Sequence, residues 1–169
     1  DLGTRRRLIA PDLPGMGSSD PHPYGSTIES YGAGVLAALD AMGVDRFDLV
    51  GHHTGGVVAV ELAAVVGTRV RRLVLSSTPF VDADGRARRK SNPHGVDDVS
   101  IEPDGSHLVA LWRGRQRFYP EGQTDLLERF VRDALRAEAP AEGHRAVADY
   151  EMERRLPAVA AEAILVVGH

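Results

Sequence analysis

Along the first half of the chain, short continuous apolar runs alternate with stretches of helical spacing. Arg7 to Ala10 is a short apolar run that predicts a strand, and Pro11 to Asp20 follows as a loop dense in turn formers. From Ser26 the positions Ile28, Tyr31, Val35, Leu39 and Met42 recur on one face of a helix, with Ser26 and Glu29 as a capping box and Gly43 as the stop. Phe47 to Val50 predicts a second strand, and Thr54 to Val66 a helix apolar nearly all round, as suits one pressed on the middle of a sheet. After Gly67, Val70 to Ser76 predicts a third strand. Strands and helices in this order build a parallel sheet.

The pattern changes after Phe80. Hydrophobic density falls and charge rises until about Arg155, and the spacing predicts helices with no intervening strand. One spans Asp104 to Tyr119, with Leu108, Leu111, Trp112 and Phe118; a second spans Thr124 to Ala139, with Leu127, Phe130, Val131 and Leu135; a third spans Glu142 to Leu156. Pro157 stops the last, and Ala163 to Gly168 reads as a buried strand. The expectation is an α/β chain in three parts: a core over 1–80, a helical insertion over 81–156, and a return to the core over 157–169.

The densest signal is Phe47 to Ala64, a short strand running into a helix through Gly51-His52-His53-Thr54-Gly55. A reversal this tight needs a strained central residue, His53, and small residues two positions to either side, where a Cβ would meet adjoining backbone. With serine at its centre, this geometry is the nucleophile elbow, whose next N–H helps form an oxyanion hole. The same five residues also suit an ordinary βα turn of any doubly wound sheet.

Composition narrows the chemistry. The 169 residues are 43% hydrophobic and 26% charged, the balance of one globular domain, with a net charge of −4. That charge offers no basic stripe for nucleic acid and no polybasic membrane patch; Arg69-Arg71-Arg72 and Arg86-Arg88-Arg89-Lys90 read as solvated clusters. Without cysteine there is no thiolate nucleophile, thiolate metal site or disulfide. The seven histidines show no metal-ligand spacing, and the glycine loop lacks a phosphate or dinucleotide fingerprint, so neither metal nor cofactor is expected. No apolar stretch reaches membrane-spanning length, which makes the cytoplasm the default location.

Taken in order, Ile9 to Asp20, the elbow, Arg71 to Ser76, the helical insertion and Ile164 to Gly168 resemble the α/β-hydrolase superfamily from end to end. Within it, the chain is similar to a subgroup of hydrolases with a G-H-H-T-G elbow and a cap bearing Gly105-Ser106-His107-Leu108 and Trp112. The resemblance implies a parallel sheet flanked by helices, with a cap inserted after the third visible strand to shape the substrate pocket. It also implies an incomplete sheet running from the family's fourth strand to its seventh. The third strand and its oxyanion loop would precede Asp1, and the usual acid and histidine would follow His169. A fragment of this kind either pairs Arg7 to Ala10 with the elbow strand or keeps open edges through which copies could associate.

For chemistry, the expectation centres on His53. A neutral imidazole at the elbow can attack as a nucleophile or draw a proton from water, with the Thr54 N–H donating to the oxyanion. Asp82, a few residues past the third strand, is the local candidate for orienting the ring, with a plain loop aspartate as the alternative. The Thr54 hydroxyl suits a helix cap, His52 suits a supporting contact, and Ser76, Ser77 and Thr78 suit a pocket wall. The expected function is hydrolysis of a small, partly apolar ester-like compound. An inactive binding module, and a lyase or isomerase using His53 as base, stand beside it.

Overall fold

A computed structural model describes residues 3, 5–91, 100–136 and 140–168. Helix α1 (Ile28–Ala41) precedes β1 (Phe47–His52), α2 (Thr54–Val66) and β2 (Val70–Ser76). Among the described residues five helices follow: α3 (Ala83–Ser91), α4 (Ser106–Gln116), α5 (Thr124–Ala134), α6 (Pro140–Asp149) and α7 (Met152–Arg155). Strand β3 (Ala163–Val167) closes the order. The three strands form one parallel sheet ordered β1-β2-β3, with Val50 opposite Val74 and Val74 opposite Leu165. Parallel neighbours require crossovers. Helix α2 supplies the first, and the α3 to α7 segment lies within the second.

Helix α2 is the centre of packing. Val57, Val58, Ala59, Val60, Leu62 and Ala63 are all buried, and the helix lies against α1, β1, β2, α6 and α7. Each fully buried valine or leucine contributes about 2 kcal/mol of apolar transfer. Ile28, Tyr31 and Leu39 of α1, Leu73 and Leu75 of β2, and Ala146, Val147, Tyr150 and Met152 complete the same cluster.

One charged residue sits inside this core. Glu61, only 3% exposed, accepts a 2.7 Å hydrogen bond from the Tyr150 hydroxyl, while the Arg155 guanidinium lies 3.0 Å from the same carboxylate oxygen. Burial, reinforced by the hydrogen bond to Glu61, pushes the Tyr150 phenol well above its ordinary range. Buried carboxylates persist only with such partners. The contact also explains a break in the chain: the third helix expected from the spacing is interrupted at Tyr150 and Glu151, because Tyr150 and Met152 are both drawn into the core.

Other expectations are corrected by the structure. Arg7 to Ala10 is not a strand; it is exposed and pairs with neither β1 nor any other described strand, so β1 and β3 are the open edges of the sheet. The elbow strand runs to His52, and because residues 7–10 form no strand, the α3 to α7 segment follows the second strand of the sheet and not the third. The α1 capping box is Thr27 with Ser30, each backbone N–H donating to the other's hydroxyl at 2.9–3.0 Å, so the helix begins later than a Ser26–Glu29 box implies. Helix α3 has no apolar spacing to mark it, because its residues are almost all polar. The first and second expected insertion helices are shorter at their ends, and residues 137–139 lie outside the described residues.

Strand β3 is also not buried: Ile164, Leu165, Val166 and Val167 are each 42–69% exposed. Its sequence is that of an interior strand, but only β2 pairs with it. Val50, 70% exposed, extends the same row as Val74 and Leu165, so the sheet face away from α2 carries bare apolar surface.

The insertion is fastened by a second charged contact. Arg86 on α3 makes a forked pair with Glu153 on α7 and donates to the carbonyl of Val81 at 2.7 Å. The hydrogen bond from Arg86 holds the Glu153 carboxyl below its ordinary value of 4.5. A depressed carboxylate contributes stability above its unfolded pKa and loses it as pH falls through the folded value.

Two measurements check this account. Tyr150→Phe is expected to lower unfolding stability in urea by about 2 kcal/mol, since a buried carboxylate loses a donor. Thermal unfolding followed from neutral pH to below pH 4.5 should show the Arg86–Glu153 contribution disappearing at the acid end. Glu153→Gln should lower the melting temperature at neutral pH and flatten that acid decline.

Candidate active site

The end of β1, the reversal and the head of α2 form the site. Gly51 is buried, and a Cβ there would run into the carbonyl of Gly55 and the Cα of Gly56. Gly51 is therefore required by close backbone approach. Gly55 is not, contrary to the symmetrical expectation: a Cβ there meets nothing within 4 Å. The second restricted position is Gly56, where a Cβ would strike the Thr78 side chain.

Between these glycines, His53 has φ 49° and ψ −120°. A non-glycine residue held at positive φ costs about 1–3 kcal/mol, sustained by its surroundings. The His53 N–H donates to the Ser76 carbonyl at 3.0 Å, tying the reversal to the end of β2. The His53 carbonyl accepts from the Gly56 N–H at 2.9 Å and so starts α2. Thr54 is the first residue of that helix, so its N–H has no carbonyl one turn back and belongs to the positive end of the helix dipole.

The His53 side chain is exposed rather than packed in the core. Its ring centroid lies 6.4 Å from that of His144 on α6, with the planes at 84°, and 6.4 Å from that of His52. The His52 Nδ1 is 3.2 Å from the Ser76 hydroxyl, consistent with a supporting contact. Three imidazoles thus gather at the carboxyl edge of the sheet. Beside them, the hydroxyls of Ser77 and Thr78 are buried and without a hydrogen-bond partner, and Ser77 has φ 46°.

Asp82 has a different task. Its Oδ1 accepts the Gly85 N–H at 2.7 Å and its carbonyl accepts the Arg86 N–H at 2.9 Å, so it caps α3. Both contacts are those of a residue that begins a helix. His144 was the residue that sequence spacing missed. It lies 91 positions beyond His53 and on a separate helix, and no local motif marks it.

The loop at 11–20 completes the surroundings. Asp12 accepts the Ser18 N–H at 3.0 Å and, through its carbonyl, the Ser19 hydroxyl at 2.8 Å. Gly17, at φ 56°, lies so close to the Asp12 carboxylate that any Cβ would overlap it. The folded loop brings Met16 against Gly143, the neighbour of His144, where an added Cβ would be 3.2 Å from the Met16 methyl. An open cleft of about 460 Å³ lies elsewhere, between the start of α1 and α6, lined by residues including Thr27, Glu29, Arg145 and Tyr150. It includes none of the three imidazoles.

A strand, a strained reversal and a helix beside a parallel sheet are features of the α/β-hydrolase fold. The chain belongs to the α/β hydrolase fold family, whose model matches residues 1–157. It is 43% identical over 76 residues to 2-hydroxy-6-oxo-2,4-heptadienoate hydrolase of Pseudomonas putida, a match covering 44% of this chain and 28% of that one. To haloalkane dehalogenase 2 of Mycobacterium tuberculosis it is 34% identical over 89 residues, covering 52% of this chain and 31% of the relative. These matches thus span less than a third of either relative. Among solved structures, an esterase from Exiguobacterium antarcticum superposes with TM-score 0.70 at 16% identity, covering 92% of this chain and 60% of that one. The enol-lactonase from Burkholderia xenovorans superposes with TM-score 0.65 at 17% identity, covering 94% and 70%. Both likenesses speak to fold alone. Among the described residues, no helix is long and apolar enough to cross a membrane.

The two glycines make opposite predictions. Gly51→Ala should destabilise the chain by about 3 kcal/mol, because backbone atoms and not a flexible side chain must move. Gly55→Ala should be neutral or stabilising by up to about 1 kcal/mol, as a helix former replaces glycine in the first turn. Urea denaturation of both variants checks the pair.

Proposed function

We propose that this chain carries the reactive centre of a hydrolase for small organic ester-like compounds, with His53 as the acyl acceptor. The observation that carries the reading is His53 itself, an exposed imidazole on a strained reversal at the head of α2. An imidazole nitrogen attacks an acyl carbon, the bond to the leaving oxygen breaks, and water then hydrolyses the acyl-imidazole. Thr54 supports the charge that develops. In this reading its N–H, at the positive end of α2, donates to the oxyanion one residue past the attacking group.

The names of the relatives support the substrate class: a heptadienoate hydrolase and a haloalkane dehalogenase both take small organic molecules. The segment from α3 to α7 serves in this reading as the cap, because α6 brings His144 to the same edge as His53. Self-association belongs to the same reading, supported by the open edges of β1 and β3 and the exposed row of Val50 and Leu165.

Turnover of generic aryl esters by the chain and by His53→Ala tests the function. The expected result is a fall of about 1,000-fold in kcat on removing the imidazole. Unchanged turnover in His53→Ala would sink the assignment. Absence of turnover in the parent chain, with ester analogues still bound, would favour a binding module. Product formation without incorporation of oxygen from labelled water would favour lyase or isomerase chemistry. For self-association, analytical ultracentrifugation should show dimers or larger species that Val50→Lys with Leu165→Lys shifts to monomer.

A further inference from the structure

We propose that His144, on α6, is the acid and base that serves His53. The inference rests on the reading of His53 as acyl acceptor and adds a second catalytic residue, drawn from the helical insertion and not from the sheet. The two rings lie with centroids 6.4 Å apart and planes at 84°, so the edge of one is directed at the face or edge of the other. A centroid spacing of 6.4 Å leaves room at the margin of the two rings for one oxygen, held by a ring nitrogen at about 2.8 Å. That is the position of a leaving oxygen in the first half of the reaction and of a water in the second.

The steps balance. With His53 neutral and His144 protonated, a His53 nitrogen bonds to the acyl carbon and the carbonyl electron pair moves onto oxygen, beside the Thr54 N–H. Collapse of that adduct breaks the bond to the leaving oxygen, which takes the His144 proton and departs as an alcohol. Water then attacks the acyl-imidazolium carbon and gives a proton to neutral His144. Cleavage of the carbon–nitrogen bond returns His53 neutral, His144 protonated and the acid product free. Imidazole suits both roles because its ordinary pKa of about 6.5 lets it give and take a proton near neutrality.

The approach of the rings has a structural basis independent of the histidines. Helix α6 is seated by Ala146 and Val147 in the core, and its end is held by the Tyr150 hydrogen bond to Glu61 on α2, the helix that begins at the elbow. His53 and His144 are therefore both referred to α2. On the other side, Met16 of the 11–20 loop lies against Gly143.

The test needs no knowledge of the natural substrate. Diethyl pyrocarbonate places an ethoxyformyl group on imidazole nitrogen, and peptide mass spectrometry follows its arrival at and loss from His53. The parent chain, His144→Gln and His144→Ala are treated alike, with circular dichroism to verify folding. We expect His53 to be modified in all three, and loss of the group into reagent-free buffer to be about 100-fold slower in both variants. Equal rates of loss would overturn the role of His144 while leaving His53 as acceptor. Failure of His53 to take the group in the folded parent chain would overturn the reading of His53, and the role of His144 with it.

Discussion

The structure depends on how closely β1 and the head of α2 approach each other. Gly51 allows the backbone of the strand to lie against Gly55 and Gly56, and Gly56 in turn lies against Thr78 beyond the end of β2. Two small residues thus let one helix enter at the edge of two strands. Everything that follows in α2, from Val57 to Ala63, is then directed into the core, and α1, α6 and α7 pack onto it. The strained φ of His53 is a consequence of this approach. The energy that sustains it comes from the buried surface of the helix it starts.

The Glu61 contact extends that constraint to the second half of the chain. A carboxylate in the core costs several kcal/mol to desolvate unless partners surround it, and here they come from the junction of α6 and α7. The junction is thereby held in register with the elbow helix. A wholly apolar contact at this point would pack as well but would tolerate sliding, whereas a hydrogen bond at 2.7 Å fixes one arrangement. The Arg86–Glu153 pair then fastens α3 to the same junction.

Family membership and chemistry rest on different features. The order of strands and helices, and the superposition on an esterase and a lactonase, identify the fold. The residue at the tip of the elbow is a separate matter, since one fold hosts many reactions. In the proposed reading histidine there is the nucleophile, and the ring of His144, its centroid 6.4 Å from that of His53, exchanges the protons.

The sequence by itself determined the elements whose cause is local. Continuous apolar runs and glycine stops marked β1, α2 and β2, and the tight Gly51 to Gly55 reversal marked the strained residue, because hydrophobic period and backbone sterics are read within a few neighbours. Tertiary structure decided the rest. Whether Arg7 to Ala10 became a strand depended on a partner that no local pattern reveals, and the exposure of β3 depended on what lies beside it. Gly55 and Gly56 exchange importance because only the fold shows that Thr78 approaches one of them. Asp82 was claimed by the helix it begins, while His144 came to His53 across 91 residues through the packing of α6 on α2. Contacts between distant residues are set by which surfaces are buried together, and a single sequence records the surfaces without recording the pairing.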